Sequence, residues 1–331
     1  MSLKIKLRIS FFTICWFYLV GCTSEDAIPT YVVETSDFLP RLLEPIDSMR
    51  LPVSFTPSGL AVDTRGHLYL GDRLSRSIYR WDSRGVLIDT IGGPGGGPGE
   101  FSEGPQGLAI YRDSLLAAVD FKTGRLLYFQ LNPTLRFLRQ LTFPSALLQT
   151  AWLSARRLLV SAVPMPGESG VFSITFSGED VRRRHVNLPP ATNPIYGMRK
   201  VAASNGRAVV ADLFTNRMTV LDAQGQPLWQ LILTDLPEQA PGEETKEDPL
   251  YGSITLPDAA LIASVALQDS SLYILIGWPD SLAGQQVWHL HLDGRVIERL
   301  ELPVAAKSIE VYHDRLYALS TDPLILYLYA L

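Results

Sequence analysis

Five histidines, His67, His185, His289, His291 and His313, and three recurring aspartates, Asp72, Asp120 and Asp212, have the chemistry to hold a metal. Catalytic zinc takes three converging protein ligands and keeps a fourth position open. His289 and His291 alternate along the chain and share one face of a strand, but no third histidine occupies a matching slot. A hard cation takes about six or more oxygens at roughly 2.3–2.6 Å, whereas each aspartate stands far from the others, directly before a turn. A carboxylate there more simply caps its own hairpin by accepting backbone and arginine hydrogen bonds. The run GGPGGGPGEF, Gly92 to Phe101, has the glycine density of a phosphate cradle. Such a cradle ends in Gly-Lys-Ser/Thr, and here Glu100 and Phe101 follow instead. The run therefore reads as a tight turn rich in positive φ. No Gly-x-Ser-x-Gly elbow is present and no cysteine follows Cys22, so nucleophilic catalysis lacks its usual parts. No catalytic residue, metal or cofactor is expected.

The elements that position these residues are short strands. The 331 residues include 25 Gly and 23 Pro, a density that favours many turns over long helices. With 47% hydrophobic and 19% charged residues the chain can build a core, which excludes intrinsic disorder. A formal charge of −5 argues against nucleic acid as a partner, because phosphate neutralisation needs a basic patch.

The amino-terminal segment has a separate logic. Lys4, Lys6 and Arg8 precede the apolar run Ile9 to Val20, which is shorter than the ~20 residues a membrane-crossing helix needs. These are the flanks of a secretory signal. The run ends in Leu19-Val20-Gly21-Cys22, followed by Thr23, and resembles the lipobox of bacterial lipoproteins. That resemblance implies a signal peptide over residues 1–21 and a diacylglycerol on the Cys22 thiol. It implies a place in the bacterial cell envelope, anchored to the membrane by lipid. Thr23, in place of the Asp of inner-membrane retention, leans towards the outer membrane, facing the periplasm or the surface. Cleavage removes Cys15 and three positive charges, taking the formal charge to −8, and leaves no thiol pair for a disulfide. Residues 22–39 are polar and include Pro29. They read as a tether reaching about 20–25 Å as a flexible chain.

From residue 55 the chain repeats itself. Pro57-Ser58-Gly59-Leu60-Ala61 returns as Pro105-Gln106-Gly107-Leu108-Ala109, and 48 residues separate both Gly59 from Gly107 and Asp72 from Asp120. A later copy carries Asp212, 92 residues beyond Asp120, so one degenerate unit lies between them, from Trp152 to Gly178. Two further units hold Tyr273 and Tyr317, 44 residues apart. Six units of about 45 residues, each of three or four alternating strands, are the signature of a β-propeller. A lone four-stranded sheet exposes both faces, and stacking blades around an axis covers them. Gly59, Ala61, Gly107 and Ala109 suit the crowded strands nearest the axis.

With GGPGGGPGEF leading into Gly104-Pro105-Gln106-Gly107, and Asp followed by Asn216-Arg217 or Gly124-Arg125, the chain resembles the NHL-type six-bladed β-propeller family, in particular its bacterial lipoprotein branch. The fold expected is all-β, six blades over residues 40–331. The sixth unit reaches Leu331 with only three strands, and an open edge would leave amides unpaired. Arg41 to Arg50, with Leu42, Leu43, Ile46 and Met49, is expected to supply the closing strand.

In such a ring the hairpins after each second strand share a rim with the connections between blades. Arg73, Phe121, Lys122 and Phe214 fall on those hairpins, and Glu100, Phe101, Tyr196 and Tyr251 on the connections, with Trp278 beside them. Aromatics with arginine are the usual anchors of interfaces, although Phe101 and Phe121 also suit packing between blades. The acidic insertion Asp235 to Pro249 lies on the same rim and reads as a partner loop or a solvated run. The function expected is a lipid-anchored binding or scaffold module for a protein partner, without catalysis. The alternative is a propeller hydrolase or lyase, lactonase-like or amidating-lyase-like, with an axial metal site.

Overall fold

The computed structural model describes residues 28–331 apart from 53–54, 191–192, 243, 249–251 and 321–323; the expected signal peptide over residues 1–21 and Cys22 lie outside the described residues. Apolar alternation between Asp, Gly and Asn turns folds into six antiparallel sheets. Their inner strands are Pro57–Val62, Pro105–Tyr111, Leu147–Ser154, Arg199–Ser204, Ile262–Gln268 and Ser308–Tyr312. Each inner strand touches that of the next blade, and the sixth touches the first. The chain is a six-bladed β-propeller with an axial channel.

Second and third strands are almost wholly buried, as in Leu68–Asp72 and Arg125–Gln130, whereas the outer strand Arg136–Thr142 alternates half-buried and exposed. One apolar cluster fills each of the six interfaces between blades. Between blades one and two, Tyr69, Ile78 and Ile91 meet Phe101, Leu127 and Phe129. Burying each such side chain stabilises the fold by ~1.5–3 kcal/mol. The expected crowding near the axis is present. A Cβ on Gly107 would stand 2.6 Å from the Gln149 Cα, and the φ of Gly107 is 56°. Blades two and three therefore approach at a distance that admits no side chain there.

Closure comes from the amino-terminal side, in part as expected. Pro45–Arg50 pairs antiparallel with the third strand of blade six, Ile325–Ala330, with Met49 opposite Leu326. Pro40–Leu42 does not join that sheet; it lies parallel to the outer strand of blade five, with Arg41 opposite Leu300. Nor is residues 22–39 wholly a tether, because Thr30–Val33 adds a parallel fifth strand to blade four, with Val33 opposite Leu233. Val33, Thr35 and Leu43 are buried, and the Thr35 hydroxyl donates to Asp235 at 2.7 Å. The chain thus follows the perimeter across blades four, five and six. The insertion between blades four and five forms a hairpin, Glu244–Asp248 against Gly252–Leu256.

Candidate functional site

The three hairpin aspartates act within their own blades. Asp120 accepts from the amides of Ser102, Glu103 and Gly104 at 2.9–3.1 Å and from Arg125 Nη1 at 3.1 Å. Asp72 takes the amide of Thr56 at 2.6 Å and that of Ser75 at 3.0 Å. Asp212 accepts from Arg199 Nε at 2.7 Å and from the Thr215 hydroxyl at 3.0 Å. Each carboxylate ties a second-strand hairpin to the start of its own inner strand or to the connection before it. The histidines are also separate. His67 meets Asp63 at 2.9 Å, and His291 meets Asp293 at 2.9 Å. His289 stacks on Tyr273 with ring centroids 4.2 Å apart and faces Glu298 at 3.3 Å. Among the described residues no three His, Cys, Asp or Glu side chains converge.

The rim residues divide into two groups instead of forming one surface. Phe101 is fully buried, and a Cβ on Gly92 would stand 2.5 Å from its ring. The glycine run, with positive φ at Gly92, Gly93, Gly95 and Gly99, bends the connection so that Phe101 enters the interface between blades one and two. Phe214 is buried too, edge-on to Tyr196 at 5.9 Å, with Trp278 packed against the same cluster. The Tyr196 hydroxyl donates to the Ala240 carbonyl at 3.0 Å. These aromatics hold the connections of blades four and five down, and Phe101 and Phe214 are support rather than contact surface. Tyr251 lies outside the described residues. The second group is at least partly accessible, with Arg73 and Phe121 half-buried and Lys122 exposed. The Arg73 guanidinium lies 4.1 Å from the Phe121 ring centroid, and the Lys122 amine 5.2 Å from it. Glu100 is exposed and accepts from the Gly97 amide at 2.8 Å.

Arg73 also borders a feature absent from the sequence reading. At the axis on the same rim opens a cavity of about 330 Å³, lined among others by Arg73, Gln149, Lys200, Ser264, Lys307 and Glu310. Below it a smaller cavity of about 100 Å³, walled by Ala61, Ala109 and Ala151, continues down the axis. Glu310 and Gln149 line both and so mark the neck between them. Burial holds the Lys200 amine below its ordinary pKa. Burial, then the charges of Arg73 and Lys200, does the same to Lys307. Burial pushes the Glu310 carboxyl up to about 7. Three cations thus stand at the mouth above one carboxyl whose burial favours its protonated form. Each residue comes from a different strand or turn, so no local motif announced the group. Its only trace was a Lys in the inner strand RKVAAS and a Glu in the inner strand SIEVY.

No family model matches the chain, and no curated relative matches it. Solved structures do. The β-propeller domain of Cps50 (Swd1) from Myceliophteria thermophila superposes with a TM-score of 0.55 at 9% identity, over 86% of this chain and 99% of that one. The structure of U3-55K gives 0.55 at 14% identity, over 87% and 100%. Streptogramin B lyase gives 0.52 at 13% identity, over 84% and 80%. The likeness is one of fold. These propellers are similar in architecture while differing from this chain at most positions, so its function rests on its own site residues.

Proposed function

We propose that this propeller is a lipid-anchored binding module of the bacterial cell envelope, of the NHL-type lipoprotein kind, and that it engages a protein partner through its upper rim. The observation that carries the reading is the Arg73–Phe121–Lys122 group, a cation–aromatic cluster on two neighbouring hairpins in which Arg73 and Phe121 are half-buried and Lys122 is exposed. Arginine and aromatic side chains supply most interface hot spots, at ~2 kcal/mol or more each. The glycine loop beneath is fixed by Phe101 and by the Arg125–Asp120 pair, so the rim is presented on a rigid base. The lipobox ending in Cys22 supports the anchor and with it an outer-membrane location.

Two measurements test this. Capture from solubilised membranes with the lipidated protein should be weakened by Arg73→Glu and Lys122→Glu with no change in melting temperature. Substitutions on the opposite rim, at Arg65 or Arg112, should leave capture intact, and the reverse pattern assigns the wrong face. Labelling with a clickable fatty acid should vanish in Cys22→Ser, and label that persists there overturns the anchor.

A further inference from the structure

We propose that the axial mouth is a binding site for an acidic sugar, a compact ligand with a carboxylate or phosphate at one end and hydroxyls at the other. The anionic end is specified by charge. Elsewhere in the blades the buried arginines are matched: Arg80 with Asp63 and Asp89, Arg125 with Asp120, Arg199 with Asp212. At the mouth the pattern fails. Among the described residues Lys200 has no hydrogen-bonding or ion-pair partner, although its chain neighbour Arg199 is fully paired. Arg73 has only the aromatic face of Phe121 and, among the described residues, no carboxylate partner. Lys307 donates to the Pro57 carbonyl and retains further N–H groups. Like charges held together at a half-buried mouth raise the free energy of the cavity, and an anion placed among them reverses the sign of that interaction.

The other end is specified by hydrogen bonding. At the neck, Gln149 Oε1 is buried with no donor to it. The Ser264 oxygen already accepts from the Ile309 amide at 3.3 Å, which leaves its own proton to donate. Glu310 lines the same neck and donates or accepts according to its protonation. Hydroxyl groups both donate and accept and so fit this set. The volume of about 330 Å³ lies at the small end of the ~300–1,000 Å³ that ligand pockets occupy. An extended polymer is therefore excluded by size, while one sugar ring with its acid fits. The site shares Arg73 with the rim cluster, whereas Lys200, Lys307 and Glu310 belong to the channel alone, so substitutions at those three separate ligand binding from rim capture.

Calorimetric titration of the full-length protein with glucuronate and with glucose 6-phosphate tests the inference. At least one of the two should bind, with neutral glucose and inorganic phosphate each at least about tenfold weaker. Lys200→Gln and Lys307→Gln should each weaken the acidic sugar about tenfold while the melting temperature holds. Gln149→Leu should weaken the sugar acids but leave the residual affinity for inorganic phosphate unchanged. If Lys200→Gln fails to fold, Lys307→Gln, whose side chain is more exposed, decides alone. The inference is overturned if neither acid binds at millimolar concentration, if the lysine variants bind like the parent, or if inorganic phosphate binds as well as the sugar phosphate.

Discussion

Glu310 gives the structure its most readable pH signature. Its carboxyl sits at the neck of the axial channel, and burial takes it from an ordinary 4.5 to about 7. In the unfolded chain the carboxyl returns to the lower value, so between these pH values the native state holds more protons than the unfolded one. Stability therefore falls as pH rises through that window, and is constant below and above it with respect to this group. At ~1.4 kcal/mol for each tenfold change in proton affinity, full burial corresponds to about 3 kcal/mol. The side chain retains some contact with channel water, which reduces the expected effect to about 2 kcal/mol. Glu310→Gln keeps the shape and abolishes the titration. Urea unfolding of parent and variant between about pH 5 and pH 8 should show the variant gaining on the parent as pH rises, by about 2 kcal/mol at the upper end. Other groups titrate in both proteins and cancel in the difference. A constant difference across the range, or a parent that gains on the variant, refutes the burial of this carboxyl.

Phe101→Ala should destabilise by ~3–5 kcal/mol in urea unfolding. Gly92→Ala should cost less in Phe101→Ala than in the parent, because the added Cβ meets that ring, with the positive φ of Gly92 leaving a penalty in both; additive effects would contradict the contact. Asp120→Ala leaves three amides without their side-chain acceptor and the buried Arg125 without its carboxylate, and should lose ~3–5 kcal/mol in the same assay, with Asp120→Asn milder. A chain beginning at Pro45 should elute in size exclusion in the same assembly state as the full-length chain, whereas one beginning at Leu51 exposes the third strand of blade six and should aggregate. A soluble Leu51 chain that melts like the parent contradicts closure by Pro45–Arg50.

The ring was legible from the sequence because its punctuation repeats. Asp72 and Asp120 recur at 48 residues since each must accept the amides of the connection into its own inner strand, a demand imposed by every blade that uses this device. Blade three lacks the aspartate and was legible only as the gap between Asp120 and Asp212. Phe101 and Phe214 were read as rim contacts because an aromatic in a connecting loop has the same sequence appearance whether it points outward or plugs an interface. The strand at Thr30–Val33 was missed because four residues carry too little periodicity, and its partner Gln230–Leu233 is 200 residues away. The axial mouth was illegible for a similar reason. Gln149, Lys200 and Glu310 come from three inner strands, and only closure of the ring makes them neighbours.

The perimeter path of the amino-terminal chain sets the order in which the molecule yields to load. A pull applied upstream of Thr30 first meets the parallel strand on blade four and the Thr35–Asp235 latch. Next in line are Pro40–Leu42 and the Arg41–Glu298 contact at 2.9 Å on blade five. Only after both have peeled does tension reach Pro45–Arg50, the strand that shuts the ring. The two outer attachments therefore act as sacrificial fuses in series, so that tugging on one end of the polypeptide lengthens the leash before it can open the toroid.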